Sequence, residues 1–143
     1  MHTQRIEGPS FSLEPVYLVH VNVPSGDVAR VLEAVTQATP LRHGNYDRVA
    51  YRSASGIEQF RRLRGSRAGE AQVLQEVSTT RITFSVSQEQ AVLVKVVEAI
   101  RAVHPYEEPV INVEVAWTSR AVRGGDDENP NRCGNRSEQP GSQ

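Results

Sequence analysis

Two decapeptides far apart in the chain echo each other. Residues 31–40 read VLEAVTQATP and residues 96–105 read VVEAIRAVHP, with Val, Glu, Ala and Pro in register. Each copy ends a run whose apolar residues recur at helical spacing. In the first these are Val28, Val31, Leu32 and Val35; in the second, Leu93, Val96, Val97, Ile100 and Val103. A strand pattern precedes each helix. Tyr17, Val19, Val21 and Val23 alternate with Leu18, His20 and Asn22, and Ile82, Phe84 and Val86 alternate before the second helix. A chain built from two such strand–helix–strand units is confined to a few topologies. The expected architecture is α+β: a ferredoxin-like sandwich, with an antiparallel sheet, both helices on one face and an extra hairpin.

The remaining strands are less regular. Residues 48–53 read as a second strand, with Val49 and Tyr51 on one face. Gly56 marks a turn into a short strand around residues 59–63, and residues 72–77 lead irregularly into residues 81–86. The last strand runs over residues 110–117, with Ile111, Val113, Val115 and Trp117 on one face and Asn112 and Glu114 on the other. The sheet face away from the helices would then carry His20, Asn22, Asn112 and Glu114, a polar surface suited to wet contacts.

Both ends differ from this middle. Residues 1–14 hold Gly8, Pro9, Ser10 and Ser12 and read as a flexible segment. Residues 119–143 are rich in Gly, Asn, Asp and Pro, with little to bury, and read as a disordered tail. Residues 15–118 are left as the domain, large enough for one adequate core. The only cysteine, Cys133, lies in the tail, so no intrachain disulfide can form. With no apolar secretion core near the start and no apolar run of membrane length, a cytoplasmic location is expected. Sixteen basic against seventeen acidic residues give a net charge of −1, which supplies no field for nucleic acid or an anionic membrane.

Three segments invite a functional reading. HPYEEP, residues 104–109, places an imidazole and two carboxylates together. His104, Glu107 and Glu108 are candidate ligands for a divalent metal ion, the candidate cofactor. The structural alternative is a helix C-terminus, with His104 near the last carbonyls, Tyr106 packing and the glutamates in water. In HGNYD, residues 43–47, His43, Asn45 and Asp47 could hold a small polar ligand. Alternatively the segment is a turn in which Gly44 takes a positive φ and Tyr46 anchors the core. The arginines of residues 61–67, Arg61 and Arg64 among them, suit a phosphate or nucleotide, although a solvated basic run has the same composition. No nucleophile–base pattern and no G-x-S-x-G context occurs, so no catalytic residue is assigned.

In order and spacing, HGNYDRVAYR (43–52), GIEQFRRLRG (56–65) and HPYEEP (104–109) resemble the YqfO-type CutA/PII-like domain. That domain occurs inserted in the type-two GTP cyclohydrolase-like (NGG-one-interacting factor three) family, and also stands alone. The resemblance covers nearly all of residues 16–117. Arg62 stands where the family has a proline, and the loop GSRAGEAQ is shorter and lacks the family's Pro-Phe pair. The family's paired-metal chemistry resides in flanking domains that have no counterpart among these residues. The resemblance therefore implies a non-enzymatic ligand-binding or metal-binding module that assembles as a homo-oligomer, a trimer as in CutA and PII proteins. The alternative is an accessory or hydrolytic subunit of a metal-dependent nucleotide hydrolase system, with a larger metalloprotein as partner.

Overall fold

The computed structural model describes residues 5–63, 73–122 and 129–132 of the chain. Arg64 and Cys133, together with most of the expected tail, lie outside the described residues. The chain divides into two compact units, Pro15–Ala116 and a smaller one formed by the segments on either side of it.

The larger unit is built on two long strands. Strand β2 (Phe11–Pro24) pairs antiparallel with β5 (Leu74–Ser87), in a register that sets Val19 opposite Phe84, Val21 opposite Ile82 and Asn22 opposite Arg81. Helix α1 (Val28–Ala38) follows β2, and helix α2 (Gln90–Val103) follows β5. Strand β6 (Ile111–Ala121) pairs with β2. The other edge of β5 takes β3 (Tyr51–Arg52) and then β4 (Gly56–Arg61). The resulting order, β6–β2–β5–β3/β4, is the ferredoxin-like sandwich.

The period of two along β2 and β5 decides where the core lies. Val19, Val21 and Val23 point to the same side as Ile82, Phe84 and Val86, and all are buried. Val28, Val31 and Val35 of α1 and Val96 and Ile100 of α2 pack on them, with Tyr17, Leu32, Leu93, Val103 and Ile111 around the margin. Both helices end where a proline two residues past the last helical position forbids another turn. Thr39 before Pro40 and His104 before Pro105 are extended. Asp27, placed to cap α1, instead bonds Arg30 at 2.6 Å and makes no side-chain cap.

Several strands depart from their sequence expectations. The second strand shrinks to Tyr51–Arg52, and at its expected start Arg48 (φ 57°) turns the backbone out of extended geometry. In place of an irregular lead-in, the residues from Leu74 are part of the continuous β5; Gln72 lies outside the described residues. Tyr46 is 70% exposed and anchors no core. Along β6 only Ile111 reaches the core, while Val113 and Val115 stay exposed.

In the smaller unit, strand β1 (Ile6–Glu7) folds back on the start of β2, with Ile6 opposite Leu13 and Glu7 opposite Ser12. The Gly8 amide closes that turn on the Phe11 carbonyl at 2.8 Å. Val122 donates to the Ser10 carbonyl at 2.9 Å, and Arg120 pairs with Glu14 at 3.4 Å. Residues 119–121 are strand, so β6 runs past the expected tail boundary.

Two positions on one helix separate packing from propensity. Ile100 is fully buried and Val94 is 56% exposed. Ile100→Ala should lower unfolding free energy by about 3 kcal/mol through lost burial and a cavity. Val94→Ala should stay within roughly 0.5 kcal/mol of the parent. Urea midpoints for the two variants check the pair.

Candidate functional site

Asn22 is the point at which the polar groups of the larger unit converge. It lies on β2 between the buried Val21 and Val23, so its side chain faces away from the helices. Its Nδ2 donates to Glu58 Oε2 at 3.3 Å, and its Oδ1 accepts from Arg81 Nε at 3.1 Å. A guanidinium can only donate and a carboxylate can only accept, which fixes the orientation of the amide. Glu58 comes from β4 and Arg81 from β5. The main chain of Arg81 is tied to Ser53 on both sides. The Ser53 amide donates to its carbonyl at 2.9 Å, and its own amide donates to Ser53 Oγ at 2.9 Å.

These residues line an open polar cleft of ≈ 370 Å³, together with Gly56, Ile57, Gln59 and Thr79. That is the size of a small-molecule site. Glu58 Oε1 is buried and, among the described residues, without a hydrogen-bond partner. The same holds for Tyr106 Oη. Tyr106 packs edge-on against Phe60, ring centroids 5.4 Å apart, and tilted against His104 at 5.1 Å. Burial, and then the negative charges of Glu58 and Asp27, push the Tyr106 phenol above its usual 10.0, so the neutral form is favoured.

His104 is 7% exposed, and both its ring nitrogens are taken. Nδ1 accepts the Tyr106 amide hydrogen at 3.1 Å, which leaves Nε2 to carry the proton and donate to the Asn22 carbonyl at 2.8 Å. A backbone amide cannot accept and a carbonyl cannot donate, so the tautomer follows from the partners. A metal would need the Nδ1 lone pair that Tyr106 already uses. Glu108 is exposed and 3.7 Å from Arg101, and Glu107 is also exposed and engaged elsewhere. The three sequence candidates for metal thus do not converge. Among the described residues, no three His, Cys, Asp or Glu side chains gather.

The HGNYD candidates form a tight turn. The His43 and Tyr46 backbones bond each other at 2.8 and 3.1 Å, and Gly44 has the positive φ (63°) its position requires. Asn45 and Asp47 are exposed there, and none of His43, Asn45 and Asp47 lines the cleft. Arg61 is exposed on β4 and also outside it. Sequence reasoning missed Glu58, Arg81 and the side-chain role of Asn22, because they meet only through strand pairing. A usable signal was the parity of β2, which sets Asn22 among the polar residues between buried valines.

A second polar row lies beside the first. His20 Nδ1 is 3.0 Å from Thr83 Oγ1, and its Nε2 is 3.0 Å from Glu114 Oε2. The expected polar face is present, knit by bonds across strands.

Tyr106→Phe removes a buried hydroxyl that has no partner, so stability near neutral pH should hold or rise by up to about 1 kcal/mol. The phenol is favoured neutral in the fold. Its contribution is therefore complete below the unfolded value of 10.0 and is lost as pH rises through the higher folded value. Urea midpoints above pH 10 should fall less for Tyr106→Phe than for the parent. His104→Ala strands a carbonyl and an amide and should cost on the order of 3 kcal/mol. Zn²⁺ titration calorimetry on parent and His104→Ala should give equal affinities.

Solved structures resemble this fold. A Bacillus cereus protein related to NIF3 matches 73% of this chain at 27% identity, with a TM-score of 0.59. The match covers 26% of that protein, so the chain spans about a quarter of its length. The divalent ion tolerance protein CutA1 from Ehrlichia chaffeensis matches 71% of this chain and 80% of its own at 14% identity, with a TM-score of 0.50. CutA from Xylella fastidiosa matches 69% of this chain and 81% of its own at 13% identity, also with a TM-score of 0.50. No family model matches the chain, and no curated protein does. In its fold the chain is a CutA/PII-like module.

Proposed function

We propose that this chain is a non-enzymatic module that binds a small polar ligand in the Asn22 cleft and assembles with copies of itself. The observation that carries the ligand reading is the pair of opposite charges, Glu58 and Arg81, held by one amide in an open cleft. A small ligand is favoured over a metal ion because the imidazole of His104 is committed to two backbone groups.

Assembly is supported by what the fold leaves uncovered. Among the described residues β6 pairs on one side only, with β2, and Val113 and Val115 are exposed on it. An edge strand with apolar side chains is a template for another strand, and a second copy supplies one. A trimer is the expected state, on the resemblance to CutA and PII proteins.

A second reading, drawn from the sequence resemblance and joined by the likeness to part of a protein related to NIF3, is an accessory subunit that works beside a larger metalloprotein. No helix among the described residues is long and apolar enough to cross a membrane.

Size-exclusion chromatography with light scattering tests the assembly. The parent should elute as a stable oligomer and Val115→Asp as a smaller species with unchanged helix content. A monomeric parent overturns the assembly reading, and a specific metalloprotein recovered with the monomer from its host would favour the accessory one.

A further inference from the structure

We propose that the ligand of the Asn22 cleft is a small zwitterion, an α-amino acid or a molecule ending in one. This rests on the cleft being the ligand site and adds the class of ligand. The ammonium would bond Glu58, and the carboxylate would bond Arg81.

Three features lead to this class. First, Glu58 and Arg81 line the same cleft yet do not pair with each other; Asn22 stands between them, bonded to both. Each charge keeps bonding capacity. Glu58 Oε1 has no partner among the described residues, and Arg81 uses Nε on Asn22 and leaves its terminal NH₂ groups without one. Glu58 Oε2 accepts one bond from Asn22 Nδ2 and, as a carboxylate oxygen, has a second lone pair for a charged donor in the cleft.

Second, the two charges sit close together. A single side-chain amide reaches both, with Nδ2 on Glu58 at 3.3 Å and Oδ1 on Arg81 at 3.1 Å. One small ligand carrying a cationic donor and an anionic acceptor a few bonds apart can therefore meet both partners.

Third, the charge balance disfavours simpler ions. A free amine meets Glu58 but faces Arg81, and a phosphate or simple carboxylate meets Arg81 but faces Glu58. A zwitterion satisfies both and leaves the net charge of the cleft unchanged. The other lining residues are neutral, with Ser53, Gln59 and Thr79 polar and Ala54, Gly56 and Ile57 small or apolar. The last three would border the ligand's side chain, and the volume of ≈ 370 Å³ limits it to a small molecule.

The full chain should be screened by thermal shift and calorimetry against the twenty L-amino acids. For any binder, its N-acetyl derivative, its decarboxylated amine and inorganic phosphate complete the panel. At least one amino acid should bind, and blocking either charged end should weaken it at least tenfold. Glu58→Gln and Arg81→Met should each weaken the amino acid at least tenfold, with Arg81→Met leaving the amine's weak binding unchanged. Should either variant fail to fold by circular dichroism, Ile57→Trp, at an exposed residue of the cleft, should block the same binding. An amine or phosphate that binds as tightly as any amino acid, and is lost in Glu58→Gln or Arg81→Met, overturns the zwitterion and leaves the cleft as the ligand site. Amino-acid binding that none of these variants weakens places the ligand elsewhere and overturns both. A chain indifferent to the whole panel overturns both as well.

Discussion

Asn22 holds four partners through four different groups. Its amide nitrogen donates to the Val110 carbonyl at 3.2 Å, and its carbonyl accepts from His104 at 2.8 Å. Its side chain bonds Glu58 and Arg81. One residue of the central strand thereby fixes the entry to β6, the end of α2, a residue of β4 and a residue of β5. The flanking valines are fully buried, so Asn22 cannot shift along or rotate without exposing them. The rigidity of the core is passed to the polar cleft through the alternation of a single strand. That is how an open, solvent-facing site keeps a fixed geometry.

The features legible in the sequence were those set by local periodicity. Val19, Val21 and Val23 announced a two-sided strand, and Val28, Val31, Val35, Val96 and Ile100 announced helices with one buried face. Pro40 and Pro105 marked where those helices stop. The order of elements then left few ways to join them, and the ferredoxin-like sheet followed. Less legible were stretches where backbone torsion or distant pairing decides. Nothing in residues 41–50 signals that Leu41 and Arg48 take positive φ, the latter at the expected start of β3, or that Tyr46 is exposed. The hairpin of β1 with β2 depends on pairing, in a segment whose composition suggests a loop.

HPYEEP shows why neighbours in sequence mislead about a site. Its residues are grouped as ligands because they are adjacent, but the chain bends through residues 105–108 and sends them different ways. The imidazole of His104 turns in toward β2, and Tyr106 packs on Phe60, while Glu107 and Glu108 stay at the surface. What His104 supplies is a neutral two-ended link, an acceptor for one backbone amide and a donor to one backbone carbonyl. Few side chains can do both in so short a span, and through these two bonds His104 joins the end of α2 to β2. The cleft was invisible for the complementary reason: Asn22, Glu58 and Arg81 lie 36 and 59 positions from one another along the pairs that bond.

The two faces of the sheet divide the tasks of the module. Away from the helices, His20 meets Thr83 and Glu114, and Asn22 meets Arg81 and Glu58, so polar groups there are largely matched within the chain. A matched polar face gains little by burial against a partner, because its bonds already exist. Exposed apolar side chains at the margins of the sheet include Val113 and Val115 on β6 and Ile57 and Leu74 on the β4–β5 pair. Apolar surface that a neighbour could cover is thus present at the edges of the sheet, where backbone donors and acceptors are also open to another strand. The cleft, bordered by Ile57, lies where the polar network reaches one of those edges.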